Sequence, residues 1–275
     1  PFHPEEERAF DPVLWLDPQG CLWWFWAQSM TGKLWDIFDG RAGVWAVCCG
    51  QPDADVPQWS SPRRLADGVI MNKPTILSDG SWLLPVSLWS CQPDRIQPEL
   101  DAVSRANFLR TVDNGKTFEL IIGTRITESK LRSFDEHIMV ERNDHTWWLL
   151  IRGKNPGIWE SFSSDRGMHW TEPVPAVFDG PNSRFALRRL KSGRLVLINH
   201  RVPHRLPGDI HSNGIHRNNL TAWLSDDDGH TWSSSLLIDS RMNVSYPDIT
   251  EGEDGFLYLI YDHARLEHGQ IIMAR

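Results

Sequence analysis

The sequence predicts an all-β chain of repeated four-stranded sheets, a β-propeller, on three observations. One turn motif occurs three times, as Thr111-Val-Asp113-Asn-Gly115-Lys-Thr117-Phe118, Ser163-Ser-Asp165-Arg-Gly167-Met-His169-Trp170 and Ser225-Asp-Asp227-Asp-Gly229-His-Thr231-Trp232. Two apolar runs joined by a tight turn recur five times. The 275 residues include 15 Trp and 11 Phe, bulk suited to packing sheet against sheet, and no helix-sized amphipathic segment dominates.

The turn motif reads S/T-x-D-x-G-x-T/H-aromatic, the pattern of a hairpin tip. The Asp carboxylate accepts bonds from nearby backbone N–H groups, the Gly takes positive φ, and the aromatic pins the returning strand to the core. Asp113 and Asp165 stand 52 residues apart, and Asp165 and Asp227 stand 62 apart, a period of one small sheet per repeat. These three aspartates are assigned to structure.

The five apolar pairs span 11–16 with 21–26, 73–77 with 81–86, 136–140 with 146–151, 184–190 with 194–198, and 246–249 with 256–261. Gln-Gly, Asp-Gly, Asn-Asp and Ser-Gly turns join them. A third strand follows, as at 44–48 and 220–224, then the turn motif and a fourth strand. Residues 58–63 (Gln-Trp-Ser-Ser-Pro-Arg) read as a worn copy of the motif closing the first repeat. The count is about four full blades plus part of another, with the last lacking its outer half. The chain reads as one domain over 1–275. It opens at Pro1 without a start Met or signal peptide and stops at Arg275 after an apolar strand, so a first blade and the end of the last are expected outside it.

Composition narrows the function classes. Lys and Arg number 28 against 36 Asp and Glu, a net charge of −8 with the signs interspersed, which argues against a nucleic-acid partner. No run of about 18 apolar residues suggests a transmembrane span. Cys21, Cys48, Cys49 and Cys91 lack metal spacing and read as buried thiols. His200, His204, His211 and His216 share one long connection, 199–219, but no two have zinc-motif spacing, so that loop is expected to overhang the site rather than bind a metal. No cofactor and no metal are expected. The compartment stays open, secreted and periplasmic settings both being compatible, as does the oligomeric state.

In a propeller the first strand of each blade lines the axis, and the heads of those strands become neighbours where ligands bind. Here the heads are Asp11, Asn72-Lys73, Glu136-His137, Arg184 and Tyr246-Pro-Asp248, a polar set on otherwise apolar strands.

With these residues in this order the chain resembles the sialidase (neuraminidase) superfamily, whose turn motifs are called Asp boxes. The resemblance implies a six-bladed propeller, incomplete here, with an axial site. It implies Tyr246 as nucleophile, Glu136 as its partner base, Arg152 and Arg217 as two arginines gripping a substrate carboxylate, and Asp11 in the pocket for the sugar's hydroxyl groups. Lys73 and Arg184 join them as substrate-binding candidates, with Arg201, Asp248, Asp262 and His263 behind. The family's first Arg and its acid/base Asp fall upstream of the Asp11 strand, so the chain alone is expected to be inactive or nearly so.

The residue types suit the task. Guanidinium groups grip a carboxylate bidentately, and a neutral phenol approaches an anionic sugar without the repulsion a carboxylate would meet. Each residue also has a plainer reading: Glu136 as a strand cap, Arg152 as a snorkelling side chain, Arg217 as a solvated loop charge, Tyr246 as a loop hydrogen bond, Asp11-Pro12 as a turn start. The expected function is an exo-acting retaining glycoside hydrolase on terminal sialic acid or a related acidic sugar. The alternatives are a hydrolase or lyase on another acidic glycan, and a non-catalytic carbohydrate-binding propeller. In every case the partner is a sialylated or other acidic glycan.

Overall fold

The computed structural model describes residues 8–29, 42–89, 98–178, 180–201 and 217–275. They form nineteen strands in five antiparallel sheets. The first holds β1 (Arg8–Leu16), β2 (Leu22–Ser29), β3 (Gly43–Cys49) and β4 (Arg63–Asp67). The second holds β5 (Thr75–Ile76), β6 (Trp82–Ser87), β7 (Ala106–Thr111) and β8 (Glu119–Thr124). The third holds β9 (Arg132–Glu141), β10 (Trp147–Gly153), β11 (Ile158–Ser163) and β12 (Val174–Pro175). The fourth holds β13 (Ala186–Arg189), β14 (Leu195–His200), β15 (Leu220–Ser225) and β16 (Ser234–Asp239). The fifth holds β17 (Val244–Glu251), β18 (Leu257–His263) and β19 (Gln270–Ala274).

Each sheet runs in chain order, the meander of a propeller blade. The six blades implied by the resemblance are corrected to five. At a repeat of 52 to 62 residues, the described residues form five such sheets. The fifth also has more than an inner half, because the alternating run Gln270–Ala274 pairs with β18 as a third strand.

Burial along the strands explains why the second strand of three of the five pairs reads as a continuous apolar run. β6, β10 and β14 are buried at every position, covered on both faces. The outer strand β16 is exposed over its first four residues.

The chain divides into two compact units. One contains residues 1–125, 134–137 and 167–169, and the other 126–133, 138–166 and 170–275. The core of the first gathers Trp15, Trp23, Phe25 and Trp82, with Trp15 edge-on to Trp82 at 4.9 Å and 77°. The second has two cores, one around Trp148, Phe185, Leu187 and Leu197, the other around Val196, Ile198, Val244 and Tyr261.

The turn motifs take the expected form. In the first copy the Asp113 carboxylate accepts from the Thr117 N–H at 2.9 Å, the Thr117 hydroxyl at 2.7 Å and the Thr111 hydroxyl at 2.8 Å. The third repeats this, Asp227 accepting from the Thr231 N–H at 2.7 Å and the Ser225 hydroxyl at 2.8 Å. Gly115 and Gly229 take φ of 78° and 87°, and the residue before each, Asn114 or Asp228, is left-handed too. The glycines are needed twice over. A Cβ on Gly115 would lie 2.7 Å from the Trp23 ring, and one on Gly229 would lie 2.5 Å from the Trp148 ring. Each tip is thus seated on an indole of the preceding sheet.

Two smaller expectations change. Cys49 is buried, but Cys21 and Cys48 are only half-buried, because Cys21 follows the exposed β1–β2 turn and Cys48 lies near it on β3. Burial, with Cys48 and Asp17 nearby, pushes the Cys21 thiol up to about 11. Tyr258, within the 256–261 apolar run, is half-buried and donates to Asp254 at 2.6 Å, whereas Tyr261 is buried and donates to Asp239 at 2.9 Å. Cys91, His204, His211, His216 and most of the 199–219 connection lie outside the described residues.

Candidate active site

In the second unit a set of charged side chains converges on Tyr246. β17 opens with a register shift between Ser245 and Asp248, and Tyr246 sits in it at φ 56° directly before Pro247. A left-handed tyrosine is rare, and a following proline normally drives a residue into extended backbone, so the conformation needs outside support. Val244 N–H donates to the Arg217 carbonyl at 3.1 Å, and the Ser245 hydroxyl donates to the buried Asp262 carboxylate. The bulge re-aims the phenol relative to a regular strand.

Arg152 ends the wholly buried run of β10 and is 2% exposed. Its Nη1 donates to the Tyr246 hydroxyl at 3.1 Å, its Nε to Asn182 Oδ1 at 2.6 Å, and its Nη2 to the Asn182 carbonyl at 3.1 Å. Arg217, just ahead of β15, donates from Nη2 to the same Asn182 carbonyl at 2.8 Å. Asn182 Oδ1 also accepts from the Ser133 hydroxyl at 2.9 Å. A buried guanidinium is costly unless its N–H groups find acceptors, and Asn182 supplies them to both arginines with neutral oxygens, leaving their charge in place.

A third guanidinium completes the set. Arg265, on the β18–β19 turn, lies 4.0 Å from the centre of the Tyr246 ring, with Arg217 at 5.4 Å and Arg152 at 5.9 Å. Asp262 lies 3.6 Å from Arg265. Behind the arginines, His200 is 1% exposed and its Nε2 bonds the Val244 carbonyl at 2.8 Å. Burial, reinforced by the charges of Arg217 and Arg152 and opposed by that carbonyl, pushes its imidazole down to about 4, so it is neutral at ordinary pH.

Arg184 is half-buried two residues ahead of β13, and Asp248 lies in β17. Together they bear on Arg188, whose guanidinium burial pushes down to about 10, Asp248 opposing and Arg184 adding to the shift. His263 faces Gln270 at 3.0 Å, and the exposed Arg201 stacks over Trp223 at 5.7 Å.

The first unit holds the other candidates. Glu136 is 3% exposed at φ 36°, and its neighbour Asp135, at φ 58°, accepts from the Ser87 hydroxyl at 2.6 Å. Asn72 fixes this stretch of β9, its amide donating to the carbonyls of Glu136 at 2.8 Å and His137 at 3.0 Å. Asp11 is half-buried at φ 51° before Pro12, in the shift between Phe10 and Val13 of β1. That is the local geometry of Tyr246 before Pro247. Lys73 is half-buried ahead of β5.

The profile of the BNR repeat-like domain matches residues 3–259. The chain belongs to that family. Its fold is the sialidase-type BNR β-propeller. A Hadza microbial sialidase, Hz136, superposes with a TM-score of 0.68 at 18% identity, over 98% of this chain and 53% of its own. A leech intramolecular trans-sialidase complexed with 2,7-anhydro-Neu5Ac gives 0.67 at 13% identity, over 98% of this chain and 56% of its own. A protein of unknown function from Dyadobacter fermentans gives 0.62 at 13% identity, over 100% and 85%. The chain thus spans about half the length of the two sialic-acid proteins. No curated protein matches its sequence.

Asn182 and Arg265 are the residues that sequence reasoning missed. Asn182 stands in Gly180-Pro181-Asn182-Ser183, which reads as an ordinary turn, and Arg265 stands in a charged hairpin end. Neither position carries a local signal of its role.

Proposed function

We propose that the chain supplies the site of an exo-acting retaining glycoside hydrolase acting on terminal sialic acid or a related acidic sugar. The observation that carries this is the cationic surround of Tyr246: one guanidinium on its hydroxyl at 3.1 Å and two more within 5.4 Å of its ring. Three such groups around one phenol suit a substrate whose carboxylate sits beside the carbon under attack. Arg152 and Arg217 bind that carboxylate, with Arg265 closing the outer side. Arg184, in the same unit, is the candidate contact to the rest of the sugar.

In the reaction the Tyr246 oxygen bonds to the anomeric carbon as the glycosidic carbon–oxygen bond breaks. Glu136, which the resemblance pairs with the tyrosine, takes the phenolic proton. The departing oxygen is protonated by an acid that the resemblance places upstream of the Asp11 strand. Water then attacks the anomeric carbon, and the Tyr246 oxygen leaves with a proton returned to it, so configuration is retained.

The test is hydrolysis of an aryl α-sialoside by the protein in its longest natural form and by the Tyr246→Phe variant of that form. The rate should fall at least about a thousandfold, with the affinity for free sialic acid nearly kept. A near-parental rate in the variant removes Tyr246 from the nucleophile's role. Sialic-acid binding without turnover in the parent favours the carbohydrate-binding alternative, and cleavage of other acidic glycosides alone moves the substrate class.

A further inference from the structure

A cavity of about 480 Å³ opens in the second unit, lined among the described residues by Phe178, Asn199, His200, Arg201, Trp223 and Trp232, with the third turn tip at its edge. We propose that it is a second glycan-binding site, taking one neutral hexopyranose residue. Its volume lies within the range of about 300–1,000 Å³ typical of small-ligand sites.

The walls have the chemistry a pyranose needs. Phe178, Trp223 and Trp232 are all half-buried, and Phe178 stands edge-on to Trp232 at 5.2 Å and 79°, so aromatic faces are held in fixed orientation at low entropic cost. A sugar ring lays its C–H face on such a surface and turns its hydroxyl groups to polar neighbours. Here those are the buried Asn199 at one end and the exposed Arg201 and His230 at the rim. His200 adds a specific acceptor. Its Nε2 is committed to the Val244 carbonyl at 2.8 Å, while its Nδ1 has no hydrogen-bond partner among the described residues. An unmet buried acceptor is costly, and a hydroxyl donor reaching the inner wall would relieve that cost.

Competing occupants fit less well. An acyl chain would strand Asn199, His200 and Arg201 against hydrocarbon. A phosphate would find one guanidinium, already stacked over Trp223 at 5.7 Å. The site shares no residue with the cationic surround of Tyr246, so it stands whether or not Tyr246 is a nucleophile. His200 nonetheless joins the two regions through Val244, two residues before Tyr246.

Titration calorimetry with the methyl glycosides of galactose, mannose and N-acetylglucosamine tests the proposal, each sugar being neutral and so unsuited to the arginine site. At least one should bind, with affinity weakened about tenfold by Trp223→Leu and by the paired exposed changes Arg201→Ala and His230→Ala. Tyr246→Phe should leave that binding unchanged. If Trp223→Leu unfolds the protein, the Arg201/His230 pair decides alone. The proposal falls if none of the three sugars binds the parent, or if the binding survives the Arg201/His230 changes at full strength.

Discussion

The turn tips and three of the five strand heads are built on left-handed backbone, and they use it in opposite ways. At the tips the positive φ falls on Gly115, Gly167 and Gly229 and on polar residues just before them, where it costs little. At the heads it falls on Asp11, Asp135, Glu136 and Tyr246, with a proline after the first and the last. The tips satisfy themselves, Asp113 and Asp227 each gathering hydroxyl and backbone donors within eight residues of chain. The heads rely on distant groups: Tyr246 on Arg152, 94 residues away, and Glu136 on Asn72, 64 residues away. Conformational strain held in place by remote contacts is what a site needs to aim a side chain, and it is absent where the only task is to turn the chain.

The sharpest way to break this comparison is at a head. Arg152→Ala removes a buried cation that holds both the Tyr246 hydroxyl and Asn182. On the proposed function kcat/KM for an aryl sialoside should fall by about a thousandfold, since charge-assisted bonds to both substrate and nucleophile go together. Asp113→Ala, at a tip, should leave the rate within about twofold while lowering the melting temperature. Equal rate losses in the two variants would mean that tips and heads do not divide the work in this way.

The second contrast lies among the tips themselves. Gly229 and Gly193 have nearly the same φ, 87° and 86°. A Cβ on Gly229 would meet the Trp148 ring at 2.5 Å, whereas one on Gly193 would meet nothing within 4 Å. Gly193→Ala should cost about 1 kcal/mol for the left-handed backbone alone. Gly229→Ala should cost roughly 3 kcal/mol, because the rigid, fully buried indole must also move. Urea unfolding measures both, and similar losses would show that the tip is not seated on Trp148.

What the sequence shows follows the same division. A tip is a local device, so its Ser/Thr, Asp and Gly spacing announces it within eight residues. The doubly covered second strands are also legible, since Trp147–Gly153 is buried throughout and most of it reads as one apolar run. Arg152, Arg217 and Tyr246, which lie together in the second unit, were reachable through their order along the chain. Asn182 and Arg265 were not, because their roles exist only once β10, β15 and β18 are in register around Tyr246. The count of about four full blades plus part of another came from the repeats and matches four four-stranded sheets and one three-stranded sheet, whereas the six of the resemblance does not describe these residues.

The smallest expected effect concerns acid. The hydrogen bonds to Asp113, led by the Thr117 N–H and hydroxyl, hold its carboxyl down at about 2, and those to Asp227, led by the Thr231 hydroxyl and N–H, do the same. A folded-state value below the unfolded one means that the contribution to stability is complete above the ordinary carboxylate value near 3.8 and is lost as pH falls through about 2. Asp227 is exposed and Asp113 only half-buried, so the change should be shallow. Melting temperature should decline between about pH 4 and pH 2, and Asp113→Asn with Asp227→Asn should flatten that decline while lowering stability at neutral pH. An acid limb unchanged by the double substitution would place the sensitive groups elsewhere, and Asp239, held at about 2 chiefly by Arg241, is the next to test.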